Sequence, residues 1–256
     1  MIKFEHRANT KANNMKSGHM HDSTEVYFLL SGGRRYFIGH YIYDVEPGDV
    51  VLIKKNELHH TVARGSKGFD RFLLSYDDCD TDISGLESGC YRFTQQNADR
   101  VREAFHNIST EFKLEREYCD LFVRHYLNGI LLNLLRYGIK KPHSETDNVL
   151  RIQSAARFIS ENFANDITLE DAAAAACMES TYFSKRFKKL TGFGFCEYLK
   201  EVRLREGKRL LANTGMSVSE IAEMCGFSGS NYFGDVFKKT VGISPTEYRE
   251  KNKTDA

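Results

Sequence analysis

Apolar residues change their rhythm twice along the chain. From Glu25 to about Ser75 they come in short β-branched and aromatic runs, such as Val26 to Leu30, Tyr36 to Ile38 and Val50 to Ile53, which is the habit of strands. Ser31-Gly32-Gly33 and Glu46-Pro47-Gly48-Asp49 punctuate these runs. Strands a few residues apart with no helical stretch between them predict an antiparallel barrel or sandwich. Over 97–112 and 118–137 the spacing becomes three and four, with Val101, Phe105, Ile108 and Phe112 in one stripe and Leu127, Leu131 and Leu134 in another. That period predicts two helices, placed either to pack on the barrel or to pair two subunits.

The stretch 138–147 is polar and holds one of three prolines, Pro142, so it is the predicted linker, bounded as 139–148. Beyond it nearly all reads as helix: 149–163, 169–176, 181–190, 196–212, 218–225 and 230–240. The expected fold is therefore α+β in two domains. Residues 1–138 form an antiparallel barrel with following helices, and 149–256 form an all-α domain.

An internal repeat lies in the second domain. Thr168-Leu169-Glu170-Asp171-Ala172-Ala173, Tyr182-Phe183, Phe187-Lys188-Lys189, Gly192 and Glu197-Tyr198 return as Ser217-Val218-Ser219-Glu220-Ile221-Ala222, Tyr232-Phe233, Phe237-Lys238-Lys239, Gly242 and Glu247-Tyr248. The offset is 49 before the turn and 50 after it, an insertion placed where length is least constrained. Each copy reads as a helix-turn-helix. Phe183, Phe187 and Leu190 form the anchored stripe of one second helix, while Thr181, Ser184, Lys185 and Lys188 face outward. Small polar groups mixed with cations suit a major groove walled by phosphates.

Composition changes this picture little. Hydrophobic content of 41%, charged content of 28% and a net charge of +1 describe an ordinary globular chain with no global attraction to nucleic acid. Locally the balance differs: 180–212 carries nine Lys or Arg against three Glu. Such a patch can face phosphates, whereas a solvated helical bundle is the plainer alternative that the duplication argues against. Six cysteines, at 79, 90, 119, 177, 196 and 225, show no CxxC spacing, and neither a leader-like segment nor a membrane span is apparent. The expectation is reduced thiols in the cytoplasm.

Residues 149–250 resemble the DNA-binding domain of AraC-type bacterial transcriptional regulators, above all through Gly226-Phe227-Ser228, Phe237-Lys238-Lys239 and the run from Gly242 to Arg249. The resemblance implies a double helix-turn-helix on double-stranded DNA, with two reading helices joined by the helix 196–212. Its implied contacts are Ser180, Thr181, Ser184, Lys185, Lys188 and Lys189 in the first copy and Ser230, Asn231, Tyr232, Lys238 and Lys239 in the second. Two departures stand out. Cys177 replaces the glycine expected in the first turn, predicting mild strain, and Gly234-Asp235 replaces a small polar residue and a cation. The first copy is therefore expected to carry more of the affinity. Lys253, in the terminal tail, is expected to carry none.

In the first domain, His19-x-His21-x3-Glu25-x6-Gly32 resembles the first cupin motif. The second motif is partial, with Lys54 and Asn56 where cupins often have Pro and Gly. Histidines two apart on one strand would share a face, and with Glu25 and His59 they would make a divalent-metal set. The alternative is a metal-free pocket for a small effector, a sugar by family analogy, drawn from His19, His21, Glu25, Tyr27, Arg35, Tyr36 and His59. The expectation is a pocket without catalysis, with a metal as the less favoured alternative. The implied whole is a homodimeric, effector-responsive activator with RNA polymerase as a further partner. A metal-dependent cupin enzyme and a constitutive DNA binder are the competing readings.

Overall fold

The computed structural model describes residues 2–12, 14–77 and 81–252. Cys79 and Lys253 lie outside the described residues. The chain divides into two compact units, Met1–Glu145 and Thr146–Ala256.

The first unit is built on nine strands among the described residues: β1 (Ile2–Lys11), β2 (Thr24–Ser31), β3 (Arg34–Ile38), β4 (Tyr41–Val45), β5 (Val50–Ile53), β6 (His59–Ala63), β7 (Lys67–Tyr76), β8 (Gly89–Arg92) and β9 (Ile139–Lys140). They form a six-stranded sheet in the order β1-β7-β2-β5-β8-β9 and a three-stranded sheet in the order β4-β3-β6. All the recorded pairings are antiparallel, as the closely spaced runs predicted. Alternation along β2 explains its unbroken hydrophobicity, because both of its faces are buried. Val26 and Phe28 join Phe72, Leu74 and the helices in one core, while Tyr27 and Leu29 join Tyr36, Tyr43 and Phe69 in another between the sheets.

The helices α1 (Gln95–Leu114) and α2 (Cys119–Tyr137) belong to the first core. Val101, Phe105, Ile108, Leu127, Leu131 and Leu134 are all buried there, so the stripes seen in the sequence pack on the sheet. A second set on α2, including Leu121, Phe122, Leu132 and Leu135, is exposed.

The predicted linker 139–148 needs correction. Ile139 and Lys140 pair with β8, the Ser144 amide donates to the Ile42 carbonyl at 2.6 Å, and Lys141 reaches the fully buried Asp49 at 2.7 Å. Arg92 holds the other oxygen of Asp49 at 2.8 Å. A buried carboxylate requires such partners, and it binds this polar segment into the first unit. The second domain then begins with α3 at Asp147, inside the predicted linker.

The second unit comprises α3 (Asp147–Asn162), α4 (Leu169–Ala175), α5 (Ser180–Thr191), α6 (Phe195–Asn213), α7 (Val218–Met224), α8 (Ser230–Val241) and α9 (Pro245–Asn252). The internal repeat recurs in the geometry. Thr168 with Asp171 and Ser217 with Glu220 form matching capping boxes at α4 and α7. Phe187 meets Tyr198 edge-on at 5.4 Å, and Phe237 meets Tyr248 in the same way at 5.4 Å. Gly192 and Gly242 close the two second helices with φ of 79° and 89°.

The two inner turns differ. Gly226 has φ 72°, and a Cβ built there would lie 2.6 Å from the Ala164 carbonyl oxygen, so only glycine fits. Cys177 adopts φ 49° at the matching position, a left-handed conformation that strains a side chain. Cys177→Gly should therefore stabilise the protein by about 0.5–1 kcal/mol, strain relief exceeding the added chain entropy. Gly226→Ala should destabilise it by about 2 kcal/mol or more. Shifts of opposite sign in the denaturation midpoint, followed by circular dichroism, are the expected outcome.

Candidate functional site

Two regions carry the polar chemistry, one in each unit. In the helical unit, α5 is amphipathic with a sharp division. Phe183, Phe187 and Leu190 are buried, whereas Thr181, Lys185, Lys188 and Lys189 are exposed and Ser180 and Ser184 half-buried. The second helix repeats the division: Phe233 and Phe237 are buried, Asn231, Tyr232, Lys238 and Lys239 are exposed, and Ser230 is half-buried. Both lysine pairs occupy the last turn, where cations complement the helix dipole. Asp235 is exposed on α8, opposing that positive charge.

Not all of the predicted basic patch is available. Arg203 donates to the Phe163 and Asn165 carbonyls at 2.8 and 2.9 Å, and Lys208 is buried against the Tyr248 ring at 5.8 Å. Arg209 and Lys200 are engaged by Glu206 and Glu201. The outward cationic surface therefore centres on α5 rather than extending along α6. Sequence counting missed this because the residues are amphipathic, with stems and heads that serve packing as readily as charge.

The second helices of the two repeat copies also start differently. Glu179 accepts from the Thr181 and Tyr182 amides at 2.9 Å each, holding its own carboxyl below the usual range, while Gly229 offers α8 no side-chain cap. Exposed Tyr182, paired in the repeat with Tyr232, was not among the predicted contacts.

In the first unit, a cavity of about 280 Å³ opens between the sheets. Predicted residues His19, Glu25, Tyr27, Tyr36 and His59 line it. His21 and Arg35 do not line it, and the Arg35 side chain forms a two-pronged ion pair with Asp44 at 2.7 and 3.0 Å. Neighbours on a strand face opposite ways, so Tyr36 inside requires Arg34 inside and Arg35 outside. Arg34 is indeed buried, as is Arg71 from β7, and both line the cavity together with Phe69. Strand parity could have found Arg34 from Tyr36 alone. Glu5 and Arg7 arrive on β1, an edge strand whose polar sequence hides it from pattern reading.

The histidines gather without the strand predicted for them. His19 forms an isolated backbone bridge with His59, and His21 lies in the turn before β2, where its carbonyl accepts from Asn56. Asn56 has φ 61°, taking the left-handed role of the glycine it replaces. The ligand nitrogens of His19, His21 and His59 lie within 4.8 Å of one another. Glu25 approaches His21 Nε2 at 3.2 Å and His59 Nε2 at 3.8 Å.

Nδ1 of His59 donates to the Glu57 carbonyl, and Nδ1 of His21 to the Ser23 carbonyl, both at 2.9 Å. These bonds turn each Nε2 toward Glu25. Despite its closeness, His21 Nε2 is buried without a well-formed hydrogen bond. A neutral imidazole would present a lone pair to a carboxylate, an arrangement that needs either a proton or a cation between them. Desolvation opposes protonation of His21, yet its contacts with Glu25 outweigh that and raise its pKa. Desolvation likewise pushes Glu25 up, but the neighbouring imidazoles hold it below its ordinary value. His59, fully enclosed and facing His19, falls to about 4, so it is neutral at physiological pH.

No described helix is long and apolar enough to cross a membrane. Residues 3–127 match the family described as AraC-like ligand binding domain, and residues 172–251 match the family described as a helix-turn-helix domain. The chain is 24% identical over 243 residues to the HTH-type transcriptional activator RhaR of Mannheimia succiniciproducens, covering 91% of this chain and 87% of that protein. It is 23% identical over 212 residues to the arabinose operon regulatory protein of Escherichia coli, covering 79% and 72%. Among solved structures, ToxT from Vibrio cholerae aligns over 100% of this chain and 99% of its own, with 15% identity and a TM-score of 0.42. Pairing an AraC-like ligand-binding domain with a helix-turn-helix domain of the AraC type, the chain belongs to the AraC family of DNA-binding transcriptional regulators.

Proposed function

We propose that this protein is a cytoplasmic, homodimeric transcriptional activator that responds to a small polar effector in the barrel cavity and performs no catalysis. The observation that carries the DNA-facing part is the division of α5: its phenylalanines are buried while Thr181, Lys185, Lys188 and Lys189 are exposed. In this reading Ser180, Ser184, Ser230, Asn231, Tyr232, Lys238 and Lys239 complete the contact surface. The exposed apolar residues of α2, Leu121, Phe122, Leu132 and Leu135, support the homodimer. Activation, through contact with RNA polymerase, follows the relative named as a transcriptional activator, and a sugar effector follows the arabinose operon regulator. The effector must bind the active and inactive arrangements unequally to act as a signal.

A gel-shift titration on the DNA upstream of its own gene tests the reading. Lys185→Ala should weaken specific binding by about 1–2 kcal/mol and lower the slope of log affinity against log salt by about 0.9. An unchanged slope would remove Lys185 from the phosphate contacts. Asp235→Ala should strengthen binding several-fold at low salt, the gain fading as ionic strength rises.

The three converging imidazoles favour one addition. A divalent cation would be held by His19, His21, His59 and Glu25, where it would offer a Lewis-acidic contact to an oxygen ligand. Titration with zinc should then show one equivalent bound per chain in the native protein and none in His59→Ala. Equal binding by the two proteins would place the metal elsewhere.

A further inference from the structure

The barrel cavity has two poles of unlike chemistry. At one, Glu25 stands among imidazoles. At the other, Arg34 of β3 and Arg71 of β7 are 4% and 8% exposed. Arg71 gives Nη2 to Glu5 at 2.8 Å, but its Nη1 is buried with no hydrogen-bond partner. The Tyr27 hydroxyl is buried in the same condition, and Arg71 lies 5.8 Å from that ring. Arg34 donates Nε to Thr61 at 3.2 Å and stacks 4.5 Å over Phe69.

A guanidinium does not shed its proton, so a buried one calls for an anion or a full set of acceptors. Burial lowers the pKa of Arg34, and repulsion from Arg71 and Arg7 acts in the same direction. Three guanidinium groups line the cavity against two carboxylates, one of which, Glu25, is turned to the histidines. The cationic pole is thus short of negative charge. Two orphan donors, Arg71 Nη1 and Tyr27 Oη, match the two oxygens of a carboxylate, the group that arginine recognises by geometry as well as charge.

We propose that the effector is a small hydroxy-carboxylate of the sugar-acid class. Its carboxylate is held by Arg71, Arg34 and the Tyr27 hydroxyl, and its hydroxyls turn toward Glu25 and His59. The assignment rests on reading the barrel as an effector pocket and narrows the effector from a neutral sugar to an acidic one. The cavity of about 280 Å³ lies at the small edge of ligand sites, which run to about 300–1,000 Å³. It suits a monosaccharide-sized acid.

The test is isothermal titration of the full-length protein with D-galacturonate and D-gluconate, beside D-galactose, the methyl ester of galacturonate and inorganic phosphate. At least one acid should bind, with the ester and the neutral sugar at least tenfold weaker. Arg71→Gln and Arg34→Gln should lose that binding, while Arg35→Gln, on the outer face, retains it. Because a buried arginine variant can unfold, the acid-against-ester comparison on native protein decides. Binding of neither acid, equal affinity for acid and ester, or binding of phosphate alone would overturn the assignment. DNA binding is measured on the same preparation. Its absence would count against the regulator reading, whereas galactose binding without acid binding would sink only the acidic effector.

Discussion

Two-sided burial of one sheet is the constraint on which the first unit depends. Each inner strand of the six-stranded sheet must satisfy a dry core against α1 and α2 on one face and the space between the sheets on the other. The rule that successive side chains alternate then decides everything at the cavity. Phe72 and Leu74 go to the helices, and Phe69, Arg71 and Leu73 go to the cavity. A register slip of one residue would put Arg71 into the hydrocarbon core and Phe72 into the cavity, exchanging a polar lining for a buried, unpaired charge.

The helical unit answers a different constraint. Short helices such as α4 and α7 are too brief to persist alone, and tertiary packing has to hold them. Beside them the aromatic sets Phe183-Phe187-Tyr198 and Phe233-Phe237-Tyr248 join α5 to α6 and α8 to α9, each through an edge-on phenylalanine–tyrosine contact at 5.4 Å. With the inner faces committed, the outer residues of α5 and α8 are released from structural duty.

Most helices, the repeat and the antiparallel strands were legible because each rests on a local period or a motif of close spacing. Other elements were less so. The edge strand β1 alternates through charged residues after Phe4, so its pattern carries little hydrophobic signal. The helix α9 did announce itself, through Ser244 and Glu247 exchanging backbone bonds around Pro245, but it follows a long helical region and reads as its tail. The segment at Lys141 looked like a linker since polarity was its only visible property, and its partner Asp49 is ninety-two residues away. At the cavity, Arg35 and Tyr36 cannot both face inward, because adjacent strand residues point to opposite faces. The histidine cluster was legible as a set of residues, though the turn that delivers His21 was not.

The uncharged glycine and exposed aspartate at 234 and 235 bear on how a regulator finds its site. An aspartate on a reading helix is repelled by every stretch of duplex alike, since phosphates are everywhere, and it can be compensated only where a base offers it a donor. With α5 and α8 facing the duplex as proposed, lysines on α5 would attract all DNA, and the aspartate on α8 would subtract from that background. A protein built this way would trade grip for discrimination, spending less of its time on the vast excess of wrong sequences in a genome.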